Sequence, residues 1–183
     1  MKIPKSTRKK ALIIVDVQPG FLNTRSRYII QNIKSLIEKV PYDFYVESLF
    51  YAEQGSLWDR QTKWTLPKDE NFITVKGIVE ILKPKGCLHL EKSSKSAFKG
   101  NVDLHRELKK RNIKEVHIVG LDSNDCVLAT AYEAFDLAYF TYVIEECTES
   151  SSGDELKKAG FKVLRHVNLT NNSCLEKIKF VEI

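Results

Sequence analysis

Short runs of apolar, β-branched residues alternate along this chain with segments whose apolar residues recur every three or four positions. Residues 11–15 (ALIIV) are continuously apolar, which predicts a strand buried on both faces. In residues 28–40, Ile29, Ile30, Ile33, Leu36, Ile37 and Val40 fall at helical spacing, and Pro41 stops the helix. Residues 43–50 predict a second strand and 87–90 a short third. Residues 102–111 predict an amphipathic helix whose Lys-Lys-Arg end suits a helix C-terminus. A fourth strand is expected over 115–120, a helix rich in Ala and Leu over 124–139, and a fifth strand over 141–145. A helix over 153–160, ended by Gly160, and a sixth strand over 161–166 complete the pattern.

Strands alternating with helices mean right-handed crossovers. The expected fold is therefore α/β: a single-domain, three-layer α/β/α structure around a central, mainly parallel sheet of about six strands. Residues 51–76, which hold Gly55, Trp58, Trp64 and Pro67, are the least regular part. A long irregular insertion in a compact domain is usually functional, often a pocket wall.

The chain has 183 residues, 43% of them hydrophobic and 29% charged, which excludes a disordered or fibrous protein. The net charge of +5 invites a nucleic-acid reading, but its location argues otherwise. Lys2, Lys5, Arg8, Lys9 and Lys10 all lie in the first ten residues, which hold no acid, and the rest of the chain carries equal numbers of acids and bases. We therefore divide the chain into a basic, solvated N-terminal arm (1–10) and one domain (11–183), and expect no nucleic-acid partner. The five apolar residues after the arm are too few for a secretory h-region, and no stretch approaches a membrane span. The expectation is a cytoplasmic protein with no membrane partner.

In parallel α/β sheets, ligands bind at the carboxyl ends of the strands. Asp16 directly follows the first apolar run, so its carboxylate emerges from an apolar wall and can exchange protons. Its plainer role is to cap the next turn. Lys92, Lys95 and Lys99 follow the third strand, and spacing alone does not choose among them. Cys126 falls in the first turn of the helix after the fourth strand. There the positive end of the helix dipole favours thiolate, and free N–H groups can hold an oxyanion. Its plainer role is that of a buried structural cysteine. Cys87, Cys147 and Cys174 lack that setting and are expected to be structural. His89 and His117 lie within strands and His105 on a helix face, which gives little support to a Cys–His pair. A carboxylate, an ammonium and a thiol at three strand ends would instead suit nucleophilic hydrolysis of a C–N bond without histidine.

These residues resemble the isochorismatase-like cysteine hydrolases, the superfamily that includes nicotinamidase. ALIIVDVQPGF resembles the family's apolar strand followed by D-x-Q-x-x-F. EKSSKSAF resembles its K-x-x-x-S-A-F segment, and GLDSNDCVLATAYEAFDLAY its segment around the nucleophile. The resemblance implies Asp16 as the acid/base, Lys92 as the catalytic lysine and Cys126 as the nucleophile. It implies a cis peptide at 121–122 and an oxyanion hole formed by the N–H groups of Asp122 and Cys126. Phe21 matches an aromatic that packs on the substrate, with Trp58 and Trp64 expected to complete the pocket. Homo-oligomerisation is also implied.

Three departures matter. The segment VESLFYAEQGSLWDRQTKW holds none of the histidines that bind a metal in nicotinamidases, so no metal and no other cofactor is expected. Asp122-Ser123 replaces the usual Thr or Ala of the cis loop, and an acid pointing inward would disfavour thiolate. Ala138-Tyr139 stands where the family has Gly-Tyr. The expected function is cysteine-dependent hydrolysis of a small amide through a thioester, with a small-molecule substrate as partner. The alternative is a non-catalytic binding member with a vestigial triad.

Overall fold

The computed structural model describes residues 8–170 and 180. Five strands form one parallel sheet: β1 (Lys10–Val15), β2 (Phe44–Phe50), β3 (Cys87–Lys92), β4 (Glu115–Leu121) and β5 (Phe140–Glu149). Their spatial order is β3-β2-β1-β4-β5. The chain thus winds outward from β1 to β3, then returns to the other side of β1 to lay down β4. Between β1 and β4 the winding reverses, and a crevice opens there at the carboxyl ends of the strands.

The central strand explains the layering. Ala11, Ile13 and Val15 of β1 pack on one face with Val116 and Ile118 of β4. That face is covered by α4 (Leu104–Lys110), α5 (Cys126–Asp136) and α6 (Asp154–His166), through Leu104, Leu108, Val127, Ala131, Phe161 and Leu164. Leu12 and Ile14 point the other way, onto Ile29, Ile33 and Leu36 of α1 (Tyr28–Lys39) and Ile78 and Leu82 of α3 (Lys76–Leu82). Alternating residues of one strand are buried on both faces, which is what a continuous apolar run requires.

Three differences from the sequence expectation have physical causes. Residues 161–166 are not a sixth strand but the second half of α6. Gly160 does not end that helix. A Cβ there would lie 2.6 Å from the Ser123 carbonyl oxygen, so glycine serves close approach of α6 to the loop after β4. The irregular stretch contains a short helix, α2 (Leu57–Thr62), capped by the Ser56 hydroxyl, which accepts from the Asp59 N–H at 3.2 Å. Lys9 and Lys10, counted with the basic arm from sequence, belong to the sheet region. Lys10 opens β1, and the Lys9 carbonyl accepts from the N–H groups of Lys114 and Glu115. Among the described residues, no helix is long and apolar enough to cross a membrane.

Candidate active site

Asp16, Lys92 and Cys126 meet at the crevice. Asp16 follows β1 with φ 52°, a left-handed conformation that is costly outside glycine. Its N–H donates to the Ser48 carbonyl at 3.0 Å, and its carboxylate is held from two sides. The Ser48 hydroxyl donates to Oδ1 at 2.8 Å, and Lys92 Nζ donates to Oδ2 at 2.6 Å. Lys92, the last residue of β3, also donates to the Ser94 carbonyl at 3.1 Å. Both members of the ion pair are buried, with side-chain exposures of 0% for Lys92 and 1% for Asp16.

The lysines left open by spacing are now distinguished. Lys95 pairs with Asp125 and is half-exposed, and Lys99 reaches Glu133 at 3.1 Å on the surface. Lys92 is the buried one, and it sits behind Asp16 rather than on the cavity wall. Burial opposes its charge, but Asp16 and Cys126 outweigh that and raise its pKa above the ordinary lysine value.

Cys126 is the first residue of α5. Burial, followed by the Asp16 carboxylate, pushes its thiol well above the ordinary range, while Lys92 pulls it down. Against the sequence expectation that the helix dipole favours thiolate, desolvation and the Asp16 carboxylate push the other way. Burial also pushes Cys87 up to about 12 and raises Cys147 well above the usual thiol range. Neither lines the cavity; Cys174 lies outside the described residues.

The loop into α5 is tightly built. Gly120 has φ 113°, and a Cβ there would lie 2.1 Å from the Val15 carbonyl oxygen, so only glycine lets β4 pass β1 at this point. The following Leu121–Asp122 peptide bond is cis. The Asp122 carbonyl accepts from the N–H groups of Asp125 and Val127 at 2.9 and 3.1 Å, skipping Cys126. Among the described residues, no backbone carbonyl takes the N–H of Asp122 or of Cys126. The Asp122 carboxylate is turned toward Ser151, whose N–H and hydroxyl donate to it at 2.8 and 2.6 Å. Burial raises its pKa, and those two bonds partly offset the rise.

These groups line a cavity of about 330 Å³, sized for a small molecule. Asp16, Asp122, Asp125, Cys126 and Ser151 line it. Phe21, Phe50, Trp58 and Trp64 line it too, so all three aromatics anticipated from sequence are present. Phe50, at the end of β2, was not anticipated. Its ring lies 5.0 Å from Trp58 and 6.0 Å from Trp64, and Lys92 Nζ sits 5.0 Å from it. Gln18 holds this strand end: its side-chain amide donates to the Phe50 carbonyl and accepts from the Phe50 N–H, at 3.1 and 2.7 Å. Ser48 and Phe50 stand two apart at the carboxyl end of FYVESLF and so share one face of the strand, a signal that could have revealed both.

No histidine lines the cavity, and among the described residues no group of three or more His, Cys, Asp or Glu is placed to hold a metal ion. The donor set there does not fit a metal bound through imidazole.

The fold is that of an α/β protein whose doubly wound parallel sheet gathers a carboxylate, a lysine and a cysteine at its switch point. The isochorismatase domain model matches residues 10–172, and the chain belongs to the isochorismatase family. It is 27% identical over 193 residues to the ureidoacrylate amidohydrolase RutB of Caulobacter segnis, covering 86% of this chain and 79% of that protein. It is 32% identical over 149 residues to the isochorismatase family protein YrdC of Bacillus subtilis, covering 76% of this chain and 73% of that one. The solved nicotinamidase PncA of Bacillus subtilis shares the fold, with a TM-score of 0.72 at 21% identity, over 88% of this chain and 98% of that one.

Proposed function

We propose that this protein is a cysteine hydrolase that cleaves a small amide or amide-like C–N bond through a thioester. The observation that carries the reading is the buried Lys92–Asp16 ion pair beside the Cys126 thiol, with Asp16 and Cys126 lining one cavity. The amidohydrolase and nicotinamidase activities named for the relatives support the same bond class.

The steps follow from the groups present. Asp16 takes the Cys126 proton as sulfur attacks the carbonyl carbon, because a thiol held above its ordinary pKa needs a base at the moment of attack. The N–H groups of Asp122 and Cys126 receive the developing oxyanion. Asp16 returns the proton to nitrogen, the C–N bond breaks, and ammonia or an amine departs, leaving the thioester. Water then attacks with Asp16 as base, the C–S bond breaks, and the acid leaves as the thiol regains its proton. Lys92 is a positioning residue: it orients Asp16 and keeps its charge through the cycle. The aromatic rings that line the cavity suit a planar or apolar portion of the substrate. The donor set supplies no imidazole ligands, so each step is assigned to side chains and backbone alone.

The test is ammonia release from a panel of primary amides by wild type and Cys126→Ala. We expect turnover by wild type to fall by at least about 10³-fold in the variant. Equal turnover by both proteins would overturn the reading.

A further inference from the structure

The cavity is lined by two unlike sets of residues. Phe21, Phe50, Trp58 and Trp64 present an aromatic surface, with Phe21 and Trp64 rings 5.8 Å apart and Trp58 and Trp64 rings 6.4 Å apart. Asp16, Asp122 and Asp125 line the same cavity, with Lys92 over the Phe50 ring at 5.0 Å and Lys95 over the Trp58 ring at 4.2 Å. Two are neutralised by lysine: Asp16 by Lys92 at 2.6 Å, and Asp125 by Lys95. Among the described residues, no cation pairs with Asp122. Its two oxygens accept only from Ser151, and each keeps a further lone pair. Asp122 is thus the one carboxylate of the three with no paired cation, half-buried in a cavity that four aromatic rings also line.

That combination has a definite ligand chemistry. Aromatic faces attract cations, and a partly desolvated carboxylate forms its strongest hydrogen bonds with charged donors. The same charge repels a carboxylate on a substrate, which is a specificity device in itself. We propose that Asp122 makes this site selective for amides that carry a positively charged nitrogen, held by the Asp122 carboxylate and the aromatic rings. The inference rests on the hydrolase reading of the cavity and adds to it the charge class of the substrate. The residue preceding the α5 loop thus has two separate parts: its N–H faces the oxyanion, and its carboxylate reads the substrate.

The chain has two tryptophans, Trp58 and Trp64, and both line the cavity, so intrinsic fluorescence reports occupancy without turnover. In Cys126→Ala protein, benzamidine and benzamide are a pair of similar shape that differ in charge. We expect benzamidine to quench at a concentration about tenfold lower than benzamide. The gap should close when Asp122→Asn is added, and para-carboxybenzamide should bind more weakly than benzamide. Equal affinity for the charged and neutral probes, or a gap untouched by Asp122→Asn, would overturn the proposal. The probe ratio in the parent protein decides the matter even if Asp122→Asn does not fold. Turnover of para-(aminomethyl)benzamide against para-methylbenzamide separates the two readings. Equal turnover of both leaves the hydrolase standing and removes the selectivity. A binding gap with no turnover of any amide does the reverse.

Discussion

Lys92 Nζ and Asp16 Oδ2 lie 2.6 Å apart in a pair from which solvent is almost wholly excluded. The two residues are 76 positions apart in sequence and reach each other from the ends of β3 and β1, with β2 and its Ser48 between them. Removing one partner from such a pair leaves an uncompensated buried charge, which typically costs about 3–5 kcal/mol. Lys92→Met should destabilise the protein by about that much in urea unfolding, and Lys92→Met combined with Asp16→Asn should recover a large part of the loss. A single variant as stable as wild type would mean that water reaches Asp16.

The same pair acts on Cys126 with opposite signs. Asp16 raises the thiol pKa and Lys92 lowers it. The pH midpoint for iodoacetamide labelling of Cys126 should therefore lie above the ordinary thiol value of about 8.5 in wild type. It should move down in Asp16→Asn and up in Lys92→Met, with peptide mass spectrometry as the readout. Catalysis should not follow reactivity: Asp16→Asn has more thiolate but no base, and its amide turnover should fall by about 10²–10⁴-fold.

His117 supplies a stability test away from the cavity. It is buried, with Nδ1 2.8 Å from the Tyr42 hydroxyl and Nε2 3.0 Å from Glu115. Burial lowers its pKa despite the opposing Glu115 carboxylate. The folded state therefore binds a proton less readily than the unfolded chain, whose histidine titrates near pH 6.5. The stability that this group contributes is present above that pH and is lost as pH falls through it toward the lower folded value. Chemical denaturation of His117→Asn should show a smaller loss between pH 7 and pH 5.5 than wild type does.

Gly160 tests the contact between α6 and the active-site loop. The Cβ of Gly160→Ala would meet backbone, the Ser123 carbonyl oxygen at 2.6 Å, so the loop or the helix must shift. We expect a stability loss of about 1–3 kcal/mol, read by thermal unfolding, despite the better helix propensity of alanine. Amide turnover should fall as well, because Ser123 lies between Asp122 and Cys126.

The residues that the sequence made legible are those whose position follows from strand ends. Asp16 stands where the first apolar run stops and Cys126 opens the helix after the fourth strand, and the sheet order then makes them neighbours. Lys92 could be separated from Lys95 and Lys99 only by resemblance, because burial of a lysine depends on a carboxylate 76 residues away. Gly160 was misread for a related reason: its Cβ-free surface serves contact with Ser123, which local sequence does not contain. The direction of the Asp122 side chain depends on Ser151, 29 residues later, and was equally out of reach. Helix α2 carried a readable signal, Ser56 three residues before Asp59, but its six residues were too few for a periodic pattern.

The most direct test of the account is to trap the intermediate. Wild-type protein turning over an amide should be quenched in acid within the first turnovers and its peptides read by mass spectrometry. The account predicts the acyl group on Cys126, lost on treatment with hydroxylamine, and accumulating less in Asp16→Asn. Turnover that continues with no acyl group on Cys126, or with the acyl group on another residue, would contradict it.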